Sequence, residues 1–442
     1  MSKKLIVTMA VMSFALCGMA FAAVENIKVS GDIHAEVFTR DFALGAISLS
    51  AKDHESLFSQ IRLRFDADLT EGVSAVLRLI SEEGWGERGT SNNLKVDLGY
   101  VEMKEFLYQP LTLVIGKQEL RYGNGLIVGN PDTNQGKVSG SAIATNLPSI
   151  VADLSLLKSF DAVKAILDFS PWTLDLVFAQ VDEGNTNSRA DDELLIGGNL
   201  AYKWGSYNGL TELYFFNADK APQSTQTTTH KDYVSVVGTR TQLDLNDNIT
   251  LGVEGAFQFG DYYASSTDND RLRAWAGQFT SEYRFLNSYN AKIGLGYTYL
   301  SGDKPSSTER YEGWNPLWED QTPAEIINVL QSNTNASLLT LSGSMMPRED
   351  VTLGLVYCRS DFAKKLGTTS YTPTIGPASG YAYSVKTNKK HFGDEVDVYG
   401  LYDYTEDVQL KLSAAYFIPG AVFNQGNHKN AYSVRAGVNV DF

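Results

Sequence analysis

Apolar and polar residues alternate along most of this chain, in separate runs of about ten residues. The last run shows the pattern: in 432–442, every even-numbered residue is apolar and every odd-numbered residue is polar or glycine. A period of two is typical of a β-strand whose two faces meet different environments. About ten residues is also the length that a tilted strand needs to cross the hydrocarbon core of a membrane. The runs therefore predict an all-β fold and leave open whether the apolar face meets lipid or a protein core.

About eighteen such strands are predicted when strong and weak runs are counted together. The alternation is clear in runs such as 249–260 and 408–418, and it is blurred at 111–119 and across 194–244. The predicted strands are 27–38, 57–69, 73–83, 95–107, 111–119, 160–169, 172–181, 194–204, 208–217, 232–244, 249–260, 271–286, 290–300, 337–346, 351–358, 395–404, 408–418 and 431–442.

The links between these runs alternate between long and short. Links after odd-numbered strands are long, as in 120–159 and 301–336, whereas links after even-numbered strands are short, as in 70–72 and 170–171. Outer-membrane barrels have this arrangement, and a soluble β-sandwich has no reason to sort its loops by parity. The prediction is a single transmembrane antiparallel β-barrel of about 18 strands, with short periplasmic turns, long extracellular loops and both termini in the periplasm. The barrel has to be closed because lipid cannot satisfy an open sheet edge.

The first residues predict a cleaved secretory signal. Two lysines precede an apolar run at 5–19, and an Ala-Phe-Ala sequence that suits a cleavage site ends at residue 22. We therefore expect residues 1–22 to be a signal peptide and residues 23–442 to be one outer-membrane barrel. Cleavage would leave Cys358 as the only cysteine, which excludes an intrachain disulfide.

The chain is strongly acidic. Its net charge is −15, which becomes −17 when the two lysines of the signal are removed. This charge argues against nucleic acid as a partner, because the phosphate backbone attracts basic proteins. Export, frequent aromatic residues and period-two runs instead predict a location in the bacterial outer membrane, with membrane lipid and lipopolysaccharide as partners.

Five stretches spread over most of the chain carry a family resemblance: QIRLRF (60–65), GKQELRYGNGLIVG (116–129), YLSGD (299–303), GWNPLWE (313–319) and EVDVYGLYDYTEDVQLKLSAAYFIPG (395–420). They resemble the alginate-export family of outer-membrane porins. Lys117 stands where that family usually has the arginine of a Gly-Arg-Gln block. The terminal aromatic strand is similar to the assembly signal of outer-membrane proteins. The resemblance implies an eighteen-stranded barrel and a basic passage for an acidic polysaccharide, such as an alginate-like uronate polymer or its oligomers.

Basic residues on the polar faces of the strands are the candidate lining of such a passage. A channel selects mainly through the charge and radius of its narrowest part, and guanidinium groups suit the carboxylates of uronic acids. Most of the candidates face the lumen by strand parity, whereas Lys117 and Arg121 come from the family-like block at 116–129. The candidate pore-lining residues are Arg62, Arg64, Arg78, Lys117, Arg121, Arg284, Lys292, Lys411 and Arg435.

Acidic residues of the same parity support a second interpretation. The two sets of charges would neutralise each other across neighbouring strands and have a structural role only. The sequence leaves both interpretations open. The acidic residues are Asp66, Asp68, Glu82, Glu254, Glu282, Asp397 and Asp441.

Two long loops are candidates for a constriction or a lid. In 301–336, Thr322-Pro323-Ala324-Glu325 is a capping-box pattern with proline at the first helical position, followed by apolar residues up to Leu330. It predicts a short amphipathic helix that plugs the lumen, covers its mouth or packs against the barrel wall. The loop 359–394 contains five lysines, which form either a solvated patch or a surface that attracts anions and lipopolysaccharide phosphates.

Other functions stay open as alternatives. The first is a general or phosphate/anion-type diffusion porin, and the second is an outer-membrane hydrolase with His34 or His54 at the barrel rim, although neither histidine has a recognisable Ser or Asp partner. The five histidines do not have the spacing of metal ligands. We therefore predict a channel that is not an enzyme and that has no metal or cofactor. Periplasmic proteins that deliver a polymer are a further expected class of partner.

Overall fold

The computed structural model describes residues 26–41, 54–85, 94–131, 149–182, 192–220, 231–265, 268–304, 310–371, 383–424 and 429–442 of the 442-residue chain. The predicted signal peptide, residues 1–22, lies outside these residues, as does the middle of the lysine-containing loop, 372–382.

Eighteen strands form one closed antiparallel β-barrel, in which each strand pairs with its neighbours in sequence and the last pairs with the first. Each of the eighteen predicted runs corresponds to one of them. In chain order the strands are β1 (Asn26–Asp41), β2 (His54–Thr70), β3 (Val73–Gly84), β4 (Lys95–Met103), β5 (Leu111–Glu119), β6 (Ser159–Asp168), β7 (Trp172–Asp182), β8 (Glu193–Lys203), β9 (Leu210–Lys220), β10 (Asp232–Asp244), β11 (Ile249–Ser265), β12 (Asp268–Arg284), β13 (Lys292–Leu300), β14 (Ala336–Arg348), β15 (Val351–Phe362), β16 (His391–Asp403), β17 (Val408–Pro419) and β18 (Ala431–Asp441).

The barrel closes between β18 and β1. Asp441 lies opposite Asp32 in the register of the two strands. The backbone N–H of Phe442 donates to the carbonyl of Gly31 at 2.9 Å, and the N–H of Gly31 donates to the carbonyl of Phe442 at 2.8 Å. The alternation at the end of the chain therefore belongs to the strand that completes the barrel, and no sheet edge is left unpaired at this seam.

The outer surface of the barrel is apolar. Val29, Val253 and Leu412 are 53, 55 and 59% exposed, whereas their neighbours in sequence turn to the lumen. Aromatic residues are exposed near the short turns, where an outer-membrane barrel has its girdle at the membrane interface. The members of this girdle are Tyr108, Phe169, Trp172, Trp204, Tyr207, Phe285, Tyr289 and Tyr404. Among the described residues, no helix is both long and apolar enough to cross a membrane.

Two segments from the long loops lie inside the barrel. We call residues 120–131 the first inner segment and residues 313–335 the second inner segment. Trp314 and Trp318 of the second segment are 1 and 0% exposed and belong to one apolar cluster with Phe216 and Val236 on the inward faces of β9 and β10. This packing explains the blurred alternation across 194–244, because the inward faces there contact apolar segments as well as water.

The predicted helix in the second inner segment is shorter than expected. Instead of a helix that begins at Thr322, the structure has one turn, α1 (Ile327–Leu330), without a side-chain cap. The N–H groups of Ile326 and Ile327 donate to the Glu395 carboxylate of β16. The N–H of Glu325, which Thr322 was expected to cap, donates instead to Asp397 of β16, so the barrel wall satisfies this donor as well.

Candidate pore constriction

Carboxylates of the barrel wall hold the first inner segment in place. Glu254 of β11 accepts a hydrogen bond from the backbone N–H of Asn124 at 2.8 Å, and Glu212 of β9 accepts one from Gly123 at 3.4 Å. The hydroxyl of Tyr122 donates to Asp175 of β7 at 3.2 Å, and its burial raises the pKa of this tyrosine. The segment follows β5, so these hydrogen bonds connect it across the lumen to β7, β9 and β11, three strands with which β5 does not pair.

Glycines allow the first inner segment to turn tightly. Gly123 and Gly125 have φ angles of 59° and 72°, a region that favours glycine. A Cβ at Gly123 would also clash with the carboxylate of Glu254. The glycine spacing in this stretch is thus explained by the turn and by the close approach of the backbone to the wall.

The second inner segment is held by the barrel wall at both of its ends. Ile326 and Ile327 donate to Glu395 at 2.5 and 2.6 Å, and the N–H of Glu325 donates to Asp397 at 3.2 Å. At the other end of the segment, Asn315 exchanges two hydrogen bonds with Gln258 of β11, at 2.6 and 2.9 Å. Glu254 and Asp397, which the sequence suggested as partners of the basic residues, therefore bind backbone groups of the inner segments.

The two inner segments are joined to each other. The N–H of Trp318 donates to the carbonyl of Ile127 at 3.0 Å, and Gly129 donates to the carbonyl of Trp318 at 2.8 Å. Arg121 of the first segment forms an ion pair with Asp320 of the second at 2.5 Å. Together they are a candidate constriction of the lumen between β7 and β16.

A row of arginines lines the lumen on β2 and β3, and we call Arg62, Arg64 and Arg78 the basic wall. Arg62 binds Asp32 of β1 through its Nε at 2.9 Å, with side chains that are 26 and 22% exposed. Arg64 binds Asp66 of its own strand at 2.7 Å. These ion pairs agree with the charge-neutralisation interpretation, but they do not use all the donors of the guanidinium groups.

Some guanidinium N–H groups of the basic wall are not used by the ion pairs and can bind a further acceptor. Asp32 contacts only Nε of Arg62, so neither Nη atom has a hydrogen-bond partner in the described part of the chain. Arg78 binds Asp97 through Nε at 2.5 Å and Glu119 through Nη2, which leaves Nη1 without such a partner there. A guanidinium group has five N–H donors, so an arginine held by one carboxylate can still bind a second.

Arg435 forms an ion pair that is almost completely buried. It binds Glu36 through Nε and through Nη2, the latter at 2.9 Å, and lies 3.6 Å from Glu325 of the second inner segment. Arg40, which is not among the predicted residues, also contacts Glu325 at 3.4 Å and Asp153 at 2.8 Å. The reason for the omission is that the first strand was predicted to end at residue 38, whereas β1 continues on the same parity to Asp41.

The other predicted residues lie in different parts of the lumen. Arg284 binds Glu282 at 2.7 Å, and Lys292 lies 4.0 Å from Glu282, near the periplasmic end of the barrel. Lys411 faces the lumen on β17, opposite Gly437 of β18. Arg240, a second residue outside the predicted set, binds Glu212 at 3.0 Å in the strand region with blurred alternation.

Lys117 faces outward, which differs from the prediction that it lines the pore. It pairs in register with Asp161 of β6 and binds this residue at 3.0 Å. Both residues have the same parity as Ile115 and Val163, which are exposed on the outer surface. The family-like block suggested a position in the pore, but the strand parity places this side chain on the outer wall.

His34, considered for a hydrolase site, faces the lumen. Its ring contacts Asn439 and lies 3.2 Å from Glu36, and no serine of the described chain is hydrogen-bonded to it. The side chain of His54 lies outside the described residues. Within the described ranges, no group of His, Cys, Asp and Glu residues has an arrangement that suits a metal ion.

The model of a family described as "Alginate export" matches residues 87–438. None of the curated proteins matches the sequence.

Several solved structures are similar to the barrel over nearly its whole length. They include Pseudomonas aeruginosa OccK11 (OpdR), with a TM-score of 0.58, 11% identity and coverage of 95% of this chain and 96% of that chain. P. aeruginosa OccK2 (OpdF), solved in complex with glucuronate, has a TM-score of 0.55, 12% identity and coverage of 95 and 98%. Acinetobacter baumannii OccAB2 has a TM-score of 0.54, 12% identity and coverage of 95 and 99%. At these identities the similarity concerns the fold.

Proposed function

Because the chain belongs to the alginate export family and forms a channel in the bacterial outer membrane, we propose that this channel passes hydrophilic, anionic saccharides, such as uronate oligomers, down their gradient. The observation that carries the proposal is the set of guanidinium donors on the basic wall that have no protein partner among the described residues. Carboxylates on a passing sugar would bind these donors and move from one arginine to the next.

The arrangement of the ion pairs supports weak and reversible binding. Conduction requires that a solute bind well enough to enter and weakly enough to leave. Asp32 and Asp66 partly neutralise Arg62 and Arg64, so each arginine attracts a carboxylate without holding it as an unpaired buried cation would. The glucuronate bound by OccK2 is a uronate of this chemical class.

The constriction favours oligomers over a wide polymer as the solute. Trp314, Trp318 and Ile326 are almost completely buried between the inner segments and the wall. A thick chain would have to displace these contacts, whereas a short oligomer passes beside them along the basic wall.

Planar-bilayer recording tests the proposal. The triple variant Arg62→Ser, Arg64→Ser, Arg78→Ser is expected to be more selective for cations, so its reversal potential in a KCl gradient should move toward the equilibrium potential of K⁺. It is also expected to weaken the block of the current by dimannuronate, because the carboxylate-binding donors are lost. Lysine at the same three positions keeps the charge and is expected to keep the reversal potential close to that of the wild type.

Arg359→Ser is the matched control, because Arg359 lies on the outward face of β15 and pairs with Asp361 at 3.1 Å. It should leave both readouts unchanged. If the triple serine variant conducts and is blocked like the wild type, the arginines are structural, and a general diffusion porin is the better description.

The two ends of the barrel would meet different partners. We propose that Lys117 and the lysines near Lys364 and Lys390 lie close to lipopolysaccharide phosphates, whereas periplasmic delivery proteins would meet the end with the short turns.

A further inference from the structure

A cavity of about 400 Å³ lies between the two inner segments and the inward faces of β12–β15. Asn124 and Gln321 line it on the side of the inner segments, and Thr280, Gly296 and Thr340 line it on the side of the wall. Its volume lies in the range of small-ligand sites, about 300–1,000 Å³. The residues of the basic wall do not line it, so its chemistry is separate from that of the proposed anion path.

Glycine and threonine alternate around the wall of this cavity. In the strand register, Gly252 of β11 lies opposite Thr280 of β12, which lies opposite Gly296 of β13, which in turn lies opposite Thr340 of β14. A Cβ at Gly252 would clash with Oγ1 of Thr280, and one at Gly296 would clash with Oγ1 of Thr340. The glycines therefore keep open the space into which the hydroxyls project.

Three hydroxyls in this wall have hydrogen-bonding capacity to spare. Thr280, Thr340 and Ser342 have no side-chain hydrogen bond to any described residue, and Ser342 is exposed to the lumen. Thr298 differs from them, because it accepts a hydrogen bond from Gln278 at 3.2 Å. Each hydroxyl offers one donor and two acceptor positions, which a ligand with hydroxyls of its own can match.

The charged residues at the cavity are occupied with one another. Arg121 binds Asp320 at 2.5 Å, and Lys158 binds the other oxygen of the same carboxylate at 2.8 Å. Glu319 accepts a hydrogen bond from Asn333 at 2.8 Å. Arg121 also donates to the carbonyl of Asn124 at 3.0 Å, and the lining has two acids, Glu319 and Asp320, beside this one cation, so a ligand carboxylate would meet a net negative charge.

Apart from Thr322, the remaining lining is apolar or amide. Leu126, Leu300 and Leu338 are at most 4% exposed and form an apolar side together with Trp314. A cavity with an apolar side and a row of hydroxyls on the other suits a ring that has C–H groups on its faces and hydroxyls at its edges.

We propose that this cavity is a binding site for an uncharged, hydroxyl-rich ring, such as a neutral hexose unit, beside the passage. The Thr280, Thr340 and Ser342 hydroxyls bind the ring hydroxyls. Gly296 leaves space for the hydroxyl of Thr340, and Gly294, where a Cβ would clash with Oγ of Ser342, leaves space for that of Ser342. The inference rests on the proposed function only in so far as the solute has to enter the lumen. It adds recognition of the neutral part of a saccharide, which the arginines do not provide.

The test compares mannobiose with dimannuronate as blockers of the single-channel current. Gly296→Ala fills the space beside Thr340, and Thr340→Val removes the hydroxyl at nearly constant volume. Each variant is expected to weaken the block by mannobiose about tenfold, the loss for one hydrogen bond of about 1.4 kcal/mol. The reversal potential in a KCl gradient should not move, because no charge changes.

Gly255→Ala is the matched control, since Gly255 faces outward and a Cβ there would have nothing within 4 Å. Mannobiose should block this variant as it blocks the wild type. In SDS gels, a wild-type difference in mobility between unheated and heated samples would show that all the variants are folded. The proposal is wrong if mannobiose does not block the wild-type channel, or if both variants are blocked as strongly as the control. A uronate-selective channel that ignores mannobiose would leave the proposed function standing and remove this inference alone.

Discussion

Arg62 and Asp32 show how a lumenal ion pair can coexist with ligand binding. The carboxylate contacts Nε at 2.9 Å and leaves both Nη atoms without a hydrogen-bond partner among the described residues. A pair that is about a quarter exposed is screened by water and salt, so its contribution to stability is small, about 0–1 kcal/mol. Its effect on the potential in the lumen is the larger consequence.

Asp32→Asn is expected to make the channel more selective for anions. The substitution removes the negative charge and leaves Arg62 with its full positive charge in the lumen. The reversal potential in a KCl gradient should move by several millivolts toward the equilibrium potential of Cl⁻, and the thermal stability should change little.

The control for this variant is Asp161→Asn, which frees the cation of Lys117 in the same way but on the outer face of the barrel. The reversal potential of this control should equal that of the wild type. Equal shifts in both variants would mean that the potential outside the lumen dominates, and the assignment of Arg62 to the ion path would fail.

At the scale of the element, the inner segments depend on wall carboxylates rather than on helix formation. Glu395 is completely buried and binds two consecutive N–H groups of the second inner segment. Because α1 has only four residues, it has no stability of its own and is held by these contacts. The capping-box pattern at 322–325 therefore identified the right segment for the wrong physical reason.

Glu395→Ala is expected to release the second inner segment. The substitution removes two hydrogen bonds and leaves the buried N–H groups of Ile326 and Ile327 without an acceptor. It should therefore weaken the binding of the segment to the wall by about 3 kcal/mol. The expected result is a higher and noisier single-channel conductance, with faster cleavage within 313–335 by a protease added to the folded protein.

Glu282→Ala provides the comparison, because Glu282 is a lumenal carboxylate that binds Arg284 and no inner segment. It should change selectivity without changing noise or cleavage. If Glu395→Ala conducts as quietly as the wild type, Glu395 is not what holds the constriction.

At the scale of the whole molecule, stability depends on the closure of the barrel at one seam. The backbone hydrogen bonds between Gly31 and Phe442 join the first and last strands near the periplasmic rim. A Cβ at Gly31 would lie 2.6 Å from the carbonyl oxygen of Arg62 and 2.7 Å from the ring of Phe442. Only glycine allows the terminal ring to lie this close to the first strand.

Gly31→Val is expected to impair closure. The overpacking should cost about 1–3 kcal/mol, which reduces the fraction of folded barrel that migrates differently from the heated protein in SDS gels. Gly255→Val, on the outward face of β11 with open space around it, should refold like the wild type. A normal yield of folded Gly31→Val would show that the seam adapts to a larger residue.

Much of the architecture was predictable from local patterns. Strand existence and parity follow from a period of two, so all eighteen strands and the lumenal face of residues such as Arg62 and Lys411 were accessible. Arg40 was missed because the predicted end of the first strand came too early. Lys117 was misplaced because a family-like motif was given more weight than the parity of its own strand.

The sequence by itself determined the alternation of faces, the sorting of loops by length and hence a closed barrel with an apolar outer wall, because these features depend on neighbouring residues and on the medium. Only the tertiary structure decided which carboxylates bind arginines and which bind backbone. Glu254 and Asp66 have the same parity, yet one holds an inner segment and the other an arginine. The difference depends on where two long loops re-enter the lumen, and that is set by contacts between residues more than fifty positions apart.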